Sequence, residues 1–433
     1  MRFPALRPRI AALVWHPRVV VSLVALVALV VPLGFLAAGR RDHPETLRLT
    51  AVTPGVHTWT GFDTDADLRR GRFAGTTASA GSLVLAGRLG TRVYAGRTYQ
   101  VGSWSSPWVS GPSFSQLIGS WNATTPAGTW VQLLAQVRDT AGRSSGWKDL
   151  GRWSLSDSGF RRRSAGTQAD AVAAVSTDTL VARRGVTLTA YRLTVRLMRL
   201  PGRTGPALRS VGAVGSRMPI GTPATSAPVQ RSAITLPVPS YSQMTHRGQN
   251  PEYGGGGEAW CSPTSLAMIL GYYGRLPSPS QYAWAPYQQA WVNQLARETY
   301  DYAYAGAGNW PFNTAVGARR AGEGFVTRLP SLRAAERFVR AGIPLAISVR
   351  FGRGQLAGAP ISATPGHLLV LVGFTATGRP VVNDPAASTD AGVRRSYDRA
   401  QLEQAWQRSG GTTYVVRDLR HPLPPRPAGQ RAW

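Results

Sequence analysis

Cys261 is the only cysteine in the chain. It stands in Glu258-Ala259-Trp260-Cys261-Ser262-Pro263-Thr264-Ser265, where Pro263 suits the first turn of a helix because its missing N–H has no partner to lose there. A thiol at a helix N-terminus meets unsatisfied N–H groups and partial positive charge, which favour the thiolate. Taken alone, such a residue is more often a small buried hydrophobe. A nucleophile also needs a base. Of the 6 histidines, only His246 and His367 fall in the same domain as Cys261. His246 sits in the polar loop Met244-Thr245-His246-Arg247-Gly248, whereas His367 opens the apolar run His367 to Phe374, and a strand there can aim the imidazole. A third group must fix the tautomer of the ring. Asp384, held before Pro385 at the end of the run Pro380 to Val382, is placed for that, although Asn-Asp-Pro is also an ordinary turn. The order Cys261, His367, Asp384 on helix start, strand start and strand end points to acyl transfer through a thiolate.

Tyr241-Ser242-Gln243, Glu258 to Ser265, Gly366-His367-Leu368-Leu369-Val370 and Val382-Asn383-Asp384-Pro385-Ala386 resemble the motifs of cysteine-peptidase family thirty-nine. This is the papain-like group of bacteriocin-leader peptidases and their stand-alone relatives. The resemblance covers about Ile234 to Leu419. The preceding region, with Ser120 to Trp130 and Gly151-Arg152-Trp153, is similar to the N-terminal part of secreted actinobacterial members. The resemblance implies a nucleophile at Cys261, a base at His367, an orienting acid at Asp384, an oxyanion-hole glutamine at Gln243 and a papain-like domain. Two positions depart from it: Ser262 follows the cysteine where the leader peptidases usually have glycine, and a long stretch with Gly254 to Gly257 separates Gln243 from the thiol. Gln249 and Glu258 therefore compete with Gln243 for a place beside Cys261.

The elements that must position these groups follow from periodicity. Between about Thr50 and Leu200 the alternation is mostly two. Val131, Leu133, Ala135 and Val137 share one strand face, as do Tyr191, Leu193, Val195 and Leu197. Such segments between Gly, Pro and Ser turns predict an antiparallel β-sandwich over 50–200. Residues 201–236, rich in Gly, Pro, Ser, Thr and Ala, read as a linker. From 237 to 420 a helix over Ser262 to Tyr273, a serine-capped helix over Ser331 to Ala341 and later apolar runs predict an α+β domain with a mostly antiparallel sheet. The proline-rich stretch 421–433 reads as a disordered tail. Residues 1–40 carry four arginines before the apolar run Val19 to Ala38, the pattern of a signal peptide or an uncut anchor helix, and both destinations are extracytoplasmic.

Composition then excludes several classes. With 433 residues and 43% apolar side chains, the chain can bury two or three cores. One cysteine excludes an intrachain disulfide and a multi-cysteine zinc site. Lys148 is the only lysine and follows no glycine-rich loop, so there is no Walker phosphate loop and no nucleotide partner. No cofactor is expected. The net charge of +28 can draw the protein to an anionic membrane or cell-wall surface. No nucleic-acid-binding motif accompanies it, and Arg161-Arg162-Arg163 is the densest basic run. Tyr282, Trp284, Tyr287, Trp291, Tyr300, Tyr302, Tyr304 and Trp310 lie between nucleophile and base, as cleft wall or as core. The tryptophans of the sandwich allow glycan binding or plain packing. The reading is an exported or membrane-tethered thiol peptidase acting on a peptide or protein. The alternatives are a cell-wall peptide amidase and an inactive surface-binding protein.

Overall fold

The computed structural model describes residues 55–229, 231–428 and 432–433. The expected signal or anchor segment, residues 1–40, lies outside the described residues. Among the described residues no helix is long and apolar enough to cross a membrane. Two antiparallel sheets build the first region. One contains β1 (Val56–Phe62), β3 (Gln116–Thr124), β6 (Thr179–Ala182) and β8 (Ala207–Arg217). The other contains β2 (Arg97–Ser105), β4 (Thr129–Asp139), β5 (Lys148–Trp153) and β7 (Leu188–Arg199). The predicted faces of β4 and β7 both enter the shared core. They pack so close to β3 that a Cβ at Gly119 would stand 2.4 Å from Leu133. Trp130, out of phase with that alternation, turns to a satellite cluster and stacks on Phe160 with centroids 4.4 Å apart.

The stretch expected as a linker contains β8, a central strand hydrogen-bonded to β3 on one side and β1 on the other. Its small residues follow from crowding: a Cβ at Gly212 would fall 2.8 Å from the Trp59 ring. The connection beyond it is also held, for Ser226 Oγ and N–H both donate to Glu403 Oε2. Trp104, Trp121, Trp130 and Trp153 are buried, so packing accounts for them. Arg162 also departs from the basic-run expectation, because it is fully buried and donates to the carbonyls of Ser154, Leu155 and Arg297. Lys148 is buried and paired with Asp170.

The second region is one antiparallel sheet with helices. In chain order it has α1 (Cys261–Tyr272), α2 (Trp310–Ala321), β9 (Gly322–Arg328), the helix Leu332–Arg340, β10 (Leu345–Phe351), β11 (Thr364–Phe374), β12 (Pro380–Asn383), the helix Arg399–Gln407 and β13 (Thr412–Asp418). The sheet order is β9-β13-β10-β11-β12. As its sequence predicts, Ser331 caps Leu332–Arg340 by accepting the Ala334 N–H at 3.3 Å. The α1 and α2 helices pack on the sheet and on each other. A Cβ at Gly317 would meet both Val416 and Leu266.

The two regions are not separate cores on a tether: Thr50–Trp433 forms one compact unit. Trp59 stacks on Phe325 at 4.5 Å, Phe312 meets Trp121 edge-on at 6.0 Å, and the Ser120 hydroxyl accepts the Val326 N–H at 2.9 Å. The expected disordered tail also ends in this seam. Trp433 is buried, stacks on Phe325, and donates to the Pro424 carbonyl at 2.7 Å. The indole gains more by burial than the proline-rich composition around it suggests. Phe312→Ala is expected to destabilise the chain by about 3–5 kcal/mol, read as a lower Tm of a single unfolding transition. Two transitions, with only the first region unaffected, would show that the seam is not part of the common core.

Candidate active site

Cys261 is the first residue of α1 and is partly buried. The entry to the helix is rigid. Trp260 is fully buried and donates to the Tyr253 carbonyl at 2.8 Å, while the Ser262 and Tyr414 hydroxyls bond at 2.9 Å. The Ser262 departure thus ties the first turn to β13. A Cβ at Gly257 would lie 2.3 Å from the Gln243 carbonyl and 2.5 Å from that of His246, so only glycine lets the incoming loop close so tightly.

His367, in β11, faces Val349 of β10 and is buried. Its Nε2–H donates to Asp384 Oδ1 at 2.8 Å, which leaves Nδ1 for the thiol. The His367 ring and the Leu368 N–H both act on the Cys261 sulfur and stabilise its thiolate. Asp384 is 1% exposed and saturated: Oδ1 also accepts the Ala386 N–H at 3.1 Å, and Oδ2 accepts the Tyr397 hydroxyl at 2.7 Å. The adjoining Asn383 donates to the Pro239 carbonyl at 2.9 Å and accepts from Arg394, fastening the end of β12 to the segment before Gln243. Sequence reasoning missed Tyr397. It belongs to no motif, and only the pairing of β12 with Arg394–Ser396 brings it to the carboxylate.

Burial alone would push the Cys261 thiol up, but the hydrogen bond and positive charge of His367 outweigh it and hold the thiol below its ordinary value. For His367, burial opposes the charged ring, yet the Asp384 charge and hydrogen bond, with the bond to Cys261, raise it to about 10. Burial likewise works against the Asp384 carboxylate, and His367, then Tyr397, hold it below the usual range. The three groups favour thiolate, imidazolium and carboxylate together, a set that can attack an acyl carbon and return a proton.

Gln243 is buried in the turn Gln243–His246. Its amide donates to the Glu258 carbonyl at 2.8 Å, and its Oε1 has no partner. The amide therefore reaches the loop that delivers Cys261. The two competitors are engaged elsewhere. The Glu258 carboxylate takes Arg247 at 3.3 Å and the Gly248 N–H, while the Gln249 carbonyl oxygen takes His246 Nδ1 at 3.0 Å and the Asn293 amide. His246 is buried, which lowers its basicity, and tilts against Trp260. It braces the loop.

The thiol opens on a cleft of about 690 Å³. Tyr304 and Trp310 of the aromatic stretch wall it, whereas Tyr282 meets Trp291 edge-on, as Tyr300 meets Tyr302. The first region lines it too, through Gln116 and the turn Ser176 to Thr179. The Asp178 carboxylate accepts the Trp310 N–H at 2.9 Å, clasping that turn to the start of α2. Among the described residues no group of three or more His, Cys, Asp or Glu is placed to hold a metal ion.

Residues 58–216 match the family described as Peptidase C39 N-terminal domain, and residues 235–414 match the Peptidase C39 like family. No curated protein matches the chain.

Proposed function

The chain belongs to the C39-like cysteine peptidases, and from that premise we propose that it hydrolyses a peptide amide bond through Cys261, His367 and Asp384 within a papain-like domain. The Cys261 thiolate attacks the carbonyl carbon. The Cys261 N–H and the Gln243 amide hold the oxyanion, and the Nδ1 proton of His367 passes to the leaving amine. Water then attacks the thioester, giving its proton back to His367, and the acid and thiolate are released. The observation that carries this reading is the unbroken chain of contacts from thiol through imidazole to the Asp384 carboxylate and Tyr397, at the mouth of a cleft. We extend the proposal to action outside the cytoplasm, by an exported or membrane-tethered protein. The basic and apolar pattern of residues 1–40 supports that part.

The test is the pH dependence of Cys261 alkylation by iodoacetamide. With the thiol lowered and His367 raised to about 10, the ion pair exists between those two titrations. Alkylation should remain fast well below the pH at which an ordinary thiol, near about 8.5, reacts. Peptide hydrolysis should rise as the thiol loses its proton and fall as the imidazolium loses its own. In His367→Ala the acid limb moves upward, because burial is then unopposed. A wild-type profile like that of an ordinary thiol would sink the hydrolase reading and favour an inactive surface protein. For the oxyanion role, Gln243→Ala is expected to lower kcat about a hundredfold while leaving the alkylation profile in place. Equal kcat would move that role to another donor.

A further inference from the structure

The cleft contains a second unusual group. Arg328, the last residue of β9, lines it together with Cys261 and is 3% exposed. Its Nη1 meets only the Met218 thioether, at 2.9 Å, and its Nε has no partner. No carboxylate among the described residues lies within ion-pair distance of it. A buried guanidinium so poorly matched is costly unless something else meets it. Asp178 is the nearby opposing charge. Its oxygens are already taken by the Trp310 N–H and the Thr179 hydroxyl. Burial lowers Arg328 to about 10 and lifts Asp178 to about 6, so at neutral pH both are mostly charged. On the other flank His57, lowered to about 4 by burial and by Arg328, is neutral and supplies no countercharge.

The sheet register places Arg328 relative to the thiol. Leu368 pairs with Ser348, the register of β10 with β13 continues that row toward Thr412, and Thr412 pairs with Arg328. Three strand spacings of about 4.8 Å separate Leu368, beside the sulfur, from Arg328, or roughly four residues of extended peptide. Building on the peptidase reading above, we propose that Arg328 receives a carboxylate of the substrate about four residues from the bond under attack, so that the cleft selects acidic peptide segments. The Ser176 to Thr179 turn lines the same cleft, so the first region takes part in this selection. Arg328 is a specificity residue, and the bidentate fork of its guanidinium fits a carboxylate.

The experiment uses decapeptides of otherwise neutral sequence in which one Glu, Gln or Lys is walked through every position. Each is tested for protecting Cys261 of the full chain from iodoacetamide, followed by intact mass. Cleavage of the same peptides is followed in parallel by mass spectrometry. Glu peptides should protect at concentrations about tenfold lower than their Gln isosteres, with Lys peptides weakest. The advantage should vanish in Arg328→Gln and persist in part in Arg328→Lys. Equal protection by Glu and Gln in the wild type, or stronger protection by Lys, overturns the proposal, as does an advantage that survives in Arg328→Gln. Glu-selective protection without any cleavage would instead strike the peptidase reading and leave the carboxylate site standing.

Discussion

Cys261→Ala is expected to abolish peptide hydrolysis, a loss of roughly a hundred-thousandfold or more, and His367→Ala should fall nearly as far. The two losses have one cause. Without the sulfur no thioester forms, and without the imidazole the sulfur keeps its proton, because burial raises the thiol once His367 no longer opposes it. Cys261→Ala removes one atom at the cleft and should unfold close to the wild-type Tm, whereas His367→Ala leaves the buried Asp384 carboxylate without its main partner and should unfold at a lower Tm while still folding. The measurement is kcat/KM on any cleaved peptide with enzyme purified in parallel. Wild-type turnover by Cys261→Ala would end the enzyme reading, and full activity in His367→Ala would transfer the base role elsewhere.

Asp384→Asn should be the next most damaging change, costing about a thousandfold to ten-thousandfold in kcat. The amide oxygen can still accept from His367 Nε2, and its NH2 can donate to Tyr397, whose hydroxyl now gives its proton to Asp384 Oδ2. Geometry thus survives while the charge that raises His367 is lost, so the alkaline limb of the pH profile should move to lower pH. A loss under tenfold with an unmoved alkaline limb would show that orientation, and not charge, is what Asp384 supplies.

The convergence of Cys261, His367 and Asp384 is legible in sequence because each sits in a short segment whose local chemistry suits its proposed role: a proline-started helix, a strand opening, a strand end before proline. Alternation on β4 and β7 is legible for the same reason, since period two is written locally. Other features depend on partners far along the chain. The Gly and Ala residues of β8 look like a linker until Trp59 is found lying over them. Trp433 looks like part of a loose tail until Phe325 and Phe338 are seen beside it. Tyr397 and Arg328 carry no local signal at all, and only register brings one to Asp384 and the other to the cleft.

The seam between the two regions has a consequence for how such a protein can change over generations. Were the gene cut between residues 216 and 235, the freed second half would show water the rings of Phe312 and Phe325, and the first half would do the same with Trp59 and Trp121. Shuffling either half onto a stranger would inherit that sticky surface. The halves must drift in step, each residue change on one side of the seam limiting what the other side tolerates.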